Sequence, residues 1–166
     1  MFDRNVIIIA LVAIFTLAQT TYAGEKKTIN YVNKFGPVQE RIILPVADRE
    51  GHVIGAQMRQ DRTSSSDSEW DGASFSLNGL FDWVNGSGRV WGYGVQTLKS
   101  GDKIFSKYSG NLTRSGEGDQ WQTLGDGTTE IYGGTGKFAN IKGSGTFKAD
   151  INPGGGTATN VIEIEY

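Results

Sequence analysis

The chain predicts an all-β fold: a single small antiparallel eight-stranded β-barrel behind a cleaved leader. Three observations carry this expectation. Beyond residue 23, apolar residues alternate with polar ones, which is the period of strands that bury one face. Turn signals separate the alternating rows at short intervals. The 24 glycines stand against only three prolines and follow no triplet period, which suits hairpins and coiled strands.

The first element is the leader. Arg4 precedes the almost wholly apolar run Val6 to Leu17, and the small-residue site Thr21-Tyr22-Ala23 follows. An apolar run this short is a signal-peptide core, because spanning a bilayer takes roughly 20 residues. Residues 1–23 are therefore expected to be a signal peptide and residues 24–166 the mature domain. The expected location is the periplasm or the outside of the cell, with no membrane anchor after cleavage. Export makes disulfides available, yet the chain has no cysteine, so stability must come from core burial and sheet closure.

The strand rows follow in order. Ile42, Leu44 and Val46 form the first, and Ile54, Ala56 and Met58 the second. Phe75, Leu77, Phe81 and Trp83 continue on odd positions, opposite Ser74, Ser76, Asn78 and Asp82. After the turn Asn85-Gly86-Ser87-Gly88 come Trp91, Tyr93 and Val95, opposite Gly92, Gly94 and Gln96. Ile104, Tyr108 and Leu112 share a face, as do Phe147, Ala149 and Ile151. Ile162, Ile164 and Tyr166 close the chain opposite Glu163 and Glu165.

Between the rows, Asp48-Arg49-Glu50-Gly51, Ser100-Gly101-Asp102, Ser115 to Asp119, Asp126-Gly127 and Asn152 to Gly156 read as turns. Short strands joined this way make an antiparallel barrel or a two-sheet sandwich. The barrel is preferred because closure removes the sheet edges that an exported domain without disulfides would otherwise have to protect. Thr63 to Ser68 reads as a polar loop, and no second domain or internal repeat is evident.

Composition excludes several chemistries. Without cysteine there is no thiol nucleophile, thiolate zinc site or iron–sulfur cluster. The lone His52 excludes multi-histidine metal sites, and no aspartate spacing forms a calcium loop, so no metal and no cofactor is expected. His52 itself, following Gly51, reads as an exposed turn histidine rather than a general base. Sixteen Lys and Arg against 18 Asp and Glu give a net charge of −2, which argues against a nucleic-acid partner. Asn85-Gly86-Ser87 and Asn111-Leu112-Thr113 match glycosylation sequons, which matter only in a eukaryotic source.

Gly136-Lys137 invites a phosphate-loop reading, but Ile131 stands where the first glycine is required and Phe138 where the hydroxyl is required. Gly86, Gly88, Gly92 and Gly94 do not make a dinucleotide-binding spacing. The segment from Gly133 through Gly134, Thr135, Gly136, Lys137 and Phe138 to Phe147 instead resembles a strand–turn–strand signature. That signature is shared by allene oxide cyclases, dirigent proteins and bacterial proteins with a similar barrel. The resemblance implies an eight-stranded barrel with an apolar cavity, steering cyclisation or coupling of a reactive hydrophobic intermediate. It also implies that homo-oligomers form. Only a structural role transfers to Gly133, Gly134, Gly136 and Gly143, because no cyclase carboxylate or dirigent catalytic set matches a residue here.

Two carboxylates are catalytic candidates, Glu130 beside Ile131 and Tyr132, and Asp82 between Phe81 and Trp83. Pointing inward, either would be desolvated into a proton donor or acceptor. Alternation places Asp82 outward and leaves Glu130 open. Trp91, Tyr93, Tyr108 and Tyr132 are the ligand-binding candidates, since aromatic walls suit an apolar or ring-bearing guest in a small barrel.

Three functions follow for comparison. The leading one is a binding module for a small hydrophobic molecule, favoured by the poor supply of catalytic groups. The second is a cyclase or isomerase acting by confinement with one carboxylate or tyrosine. The third is a carbohydrate-binding or surface-interaction module presenting aromatics on an outer sheet face.

Overall fold

The computed structural model describes residues 26–166, so the expected signal peptide lies outside the described residues. Nine strands make up almost all of this region: β1 (Lys26–Phe35), β2 (Glu40–Pro45), β3 (His52–Ser65), β4 (Ser74–Val84), β5 (Ser87–Thr97), β6 (Lys103–Ser115), β7 (Gln122–Gly134), β8 (Lys142–Asn152) and β9 (Gly155–Glu165). Every pairing is antiparallel.

β3 to β9 form a meander in sequence order, and β1 closes it by pairing along its whole length with β9 and through Tyr31, Val32 and Asn33 with Ser65, Ser64 and Thr63 of β3. The result is a closed eight-stranded barrel, and the sandwich is excluded. β2 stands outside the ring. It pairs only with the first half of β3, Glu40 opposite Met58 and Pro45 opposite Val53. β1 and β2 thus share one edge of β3 in succession, and closure still leaves one free edge on β2.

The inside of the barrel holds two apolar clusters. One plugs an end: Ile29, Ile104, Ile131, Ile162 and Ile164 pack with Trp70, Phe138 and Ile141 from the connecting loops. Trp70 reaches it because the β3–β4 loop folds back, with the Thr63 N–H donating to the Ala73 carbonyl at 2.8 Å and the Trp70 ring stacked on Tyr31 at 5.2 Å. The other cluster contains Phe35, Phe75, Phe81, Val90, Leu112, Phe147, Ala149 and Ala158.

The odd-position row of β4, the Ile104, Tyr108 and Leu112 row of β6, and the expected rows of β8 and β9 face inward. Three other expectations are corrected. On β5 the inward positions are Val90, Gly92, Gly94 and Gln96, while Trp91 and Tyr93 face outward. Small barrels have little lumen, and glycine on the inner face leaves room for rings from neighbouring strands. A Cβ on Gly94 would stand 3.0 Å from Cε2 of Phe75.

On β2 and β3 the apolar row also faces out: Ile42 is 65% exposed, Leu44 55% and Ile54 41%. Finally, Asp126-Gly127 is no turn but the middle of β7. A Cβ on Gly127 would lie 2.6 Å from Cε1 of Phe147, so glycine here lets β7 pass under that ring.

The expected hairpin at Gly133 to Phe147 is present. β7 ends at Gly134, a single 3-10 turn spans Gly136–Phe138, and β8 starts at Lys142. Gly136 has φ of 57°, a left-handed conformation that glycine adopts without strain. Thr135 Oγ1 accepts a hydrogen bond from the Lys103 N–H at 2.8 Å, tying the turn to the start of β6.

Candidate functional site

The second apolar cluster and Tyr31 of the first line a partly open cavity of about 70 Å³. Its walls are mainly apolar, from Phe35, Phe75, Leu77, Leu112, Phe147 and Ala158 among others. Its volume corresponds to a handful of waters or one small organic molecule.

A belt of polar side chains crosses this wall. Thr129 donates to Asn160 Oδ1 at 3.3 Å, and Asn160 Nδ2 in turn donates to the Ala158 carbonyl at 2.9 Å. Asn33 Oδ1 accepts from the Thr63 hydroxyl at 2.8 Å, and Ser106 donates to the Gly94 carbonyl at 3.3 Å. These groups are neutral and locally paired. Tyr108 also lines the cavity, and its ring meets Phe147 edge-on at 6.1 Å. Burial pushes the Tyr108 hydroxyl well above the usual phenol range, with Arg59 acting in the opposite sense.

Arg59 is the charged member of the lining. It occupies the inward face of β3 and is only 7% exposed. Its Nη1 donates to the Gly36 carbonyl at 3.2 Å, while its Nε has no hydrogen-bond partner. Burial lowers its pKa, the neighbouring Arg41 adds to that, and Tyr108 opposes it.

Of the ligand-binding candidates, Tyr108 alone lines the cavity. Trp91, Tyr93 and Tyr132 lie on the outer face of the barrel, which corrects their expected place in its interior. Tyr93 and Tyr132 are 56% and 48% exposed and meet edge to face at 6.4 Å, with Phe105 stacked on Tyr132 at 6.2 Å. The Arg89 guanidinium lies over the Trp91 ring at 5.3 Å.

The carboxylate candidates also point outward. Glu130 pairs with Lys107 at 2.9 Å on the barrel surface. Asp82 faces His52, whose Nε2 lies 2.8 Å from its Oδ1. His52 is correspondingly not an exposed turn residue. Its side chain is 10% exposed and lies between Asp82 and Asp48, and these two carboxylates raise its pKa, Asp48 more than Asp82. Among the described residues no group of three or more Asp, Glu or His side chains is arranged to hold a metal ion.

Alternation alone does not single out Arg59, because it favours the apolar triplet Ile54, Ala56 and Met58 as the buried face. The opposite parity, Val53, Gly55, Gln57 and Arg59, is the one that faces the lumen. The available signal was Gly55 within a strand, which marks close approach rather than exposure.

No protein-family model matches the chain, and no curated protein matches it either.

Proposed function

We propose that the protein is an exported barrel that binds one small, largely apolar molecule in its interior cavity. The observation that carries this reading is the cavity itself, an apolar chamber with a few polar groups converging on it in the middle of a closed sheet. The outward direction of Glu130 and Asp82 favours binding over turnover, because neither carboxylate can touch a guest held there. The likeness of the Gly133 to Phe147 hairpin to the cyclase and dirigent signature agrees with a cavity-bearing barrel.

The test is a thermal-shift screen of the mature protein against small apolar and aromatic compounds, paired with Ala158→Leu. Ala158 lines the cavity, and a leucine there would occupy its space. Stabilisation by a ligand that Ala158→Leu abolishes supports the reading. Equal stabilisation of both proteins, or none by any compound, overturns it. Export has its own check: the N-terminus of secreted protein should be Gly24, and an intact Met1 would overturn that part.

A second reading rests on the outer aromatic group of Tyr93, Phe105 and Tyr132, which fits stacking on sugar rings. Oligosaccharide binding that Tyr132→Ala removes and Ala158→Leu leaves intact would select it.

A further inference from the structure

We infer that the cavity is selective for a small organic carboxylate, bound with its carboxylate on Arg59 and its apolar body against Phe75, Leu77 and Phe147. This rests on the interior-binding reading above and names the chemical class of the guest.

The first observation is the state of Arg59. A guanidinium carries five N–H donors and cannot shed its charge in a protein. Here it is more than nine-tenths buried, gives one hydrogen bond to the Gly36 carbonyl, and leaves Nε without a partner. An unpaired buried cation is strongly disfavoured unless something else compensates it. No carboxylate does so: Arg59 is in none of the ion pairs of the described residues, and Asp61, two positions further along β3, is exposed.

The second observation is the chemistry of the wall. Every other polar side chain lining the cavity is neutral, Tyr31, Asn33, Gln57 and Asn160 among them. The missing negative charge is therefore not supplied from within the lining. The charges that do act on this side of the barrel are more cations. Arg41 of β2, paired in register with Gln57 of the cavity lining, donates to Gln57 Oε1 at 2.9 Å and lowers the Arg59 pKa. Arg114 acts on Arg41 in the same way. In a chain of net charge −2, these three guanidiniums form no ion pair among the described residues. Such a field attracts an anion toward the cavity.

The third observation is size. About 70 Å³ takes a short-chain acid, since a cavity that binds a benzene ring is roughly 150 Å³, and the surrounding wall is apolar apart from the belt. A guest that is part carboxylate and part hydrocarbon satisfies both halves of the site. Arg is suited to hold it, because its planar fork matches a carboxylate with two parallel hydrogen bonds.

The test uses the mature protein and thermal-shift titrations with propionate, its neutral analogue propan-1-ol, and inorganic phosphate. Propionate should bind at least about tenfold more tightly than propan-1-ol, the scale of a hydrogen-bonded charge pair. Phosphate should give no stabilisation. Arg59→Met should erase the preference while propan-1-ol still binds.

Equal affinity for propionate and propan-1-ol in the unmodified protein would overturn the carboxylate inference and leave interior binding standing, without depending on any variant. Phosphate stabilising as well as propionate would also overturn it, in favour of an inorganic-anion site. Absence of binding by both organic probes and by butyrate would overturn the inference together with the reading it rests on.

Discussion

Asp82 of β4 lies 2.8 Å from Nε2 of His52 on β3, and Asp48 holds the other ring nitrogen, so the single histidine of the chain bridges two carboxylates outside the barrel. Both contacts favour the charged imidazolium, and they raise its pKa above 6.5, with Asp48 as the larger cause.

The first prediction is a pH dependence of stability. Because the folded pKa of His52 is raised, its contribution is fully present below the unfolded value near 6.5 and is lost as pH rises through the folded value. Asp48 is shifted the other way, below 3.8, so its contribution is present above that value and lost as pH falls through the lowered one. The pair therefore stabilises most between about 3.8 and 6.5. The difference in Tm between the unmodified protein and His52→Gln should be largest in that window and shrink above it. With one histidine in the chain, NMR titration of its ring proton gives the pKa directly. Asp48→Asn should lower it more than Asp82→Asn. A ring pKa at or below 6.5 would contradict the bridge.

A second prediction separates the two glycine roles in β7. Gly127→Ala drives a methyl to 2.6 Å from both Phe147 Cε1 and the Gly110 Cα. Backbone on one side and a buried ring on the other leave little room to relax, so the expected loss is about 1–3 kcal/mol. Gly133→Ala meets no atom within 4 Å and should be close to neutral. Urea unfolding of both variants checks the contrast, and equal effects would show that β7 does not run beneath Phe147.

The exposed row of β2 makes a third. Ile42 and Leu44 face solvent, so Ile42→Lys and Leu44→Lys should each change stability by no more than about 0.5 kcal/mol. Phe81, 1% exposed and stacked on Trp83 at 4.1 Å, should cost about 3–5 kcal/mol when replaced by alanine. The same unfolding experiment reads both. A large loss at Ile42 would mean that the β2 row is covered.

This contrast also shows what alternation reveals. Period-two patterning shows that a strand has two faces, and on β4, β6, β8 and β9 one face is more apolar than the other, despite Leu80, Phe105 and Val161 outside, so the inside is legible. On β5 the choice lay between Trp91 with Tyr93 and Gly92 with Gly94, and hydrophobicity pointed to the wrong pair. The deciding factor is the space taken at Gly94 by Phe75, and at Gly92 by the backbone of Asn78 and Gly79, all from β4. β7 hid for a related reason: Gly125 and Gly127 resemble turn residues until Leu112 and Phe147 are placed over them. Arg59 was illegible because its burial depends on β1 joining β3 through Asn33 and Thr63, a pairing 30 residues apart along the chain. The hairpin was legible in full, since its signature is local.

That hairpin supplies the last prediction. Phe138 is completely buried in the apolar plug, with its ring 5.2 Å from Tyr166, whereas Lys137 beside it is half exposed and paired with Glu69 on the surface. The glycines before them let the chain turn sharply enough to deliver the ring. Phe138→Ala should therefore cost about 3–5 kcal/mol, through lost burial and the void left beneath Trp70 and Ile141. Lys137→Ala should have little effect, because a solvent-exposed ion pair is weakened by screening and side-chain entropy. Ligand affinity should be unchanged in Lys137→Ala, since neither residue lines the cavity. If Lys137→Ala proved the more damaging of the two, or lost ligand binding, the segment would have a role beyond sealing the barrel. Chemical denaturation with a parallel binding titration distinguishes these outcomes.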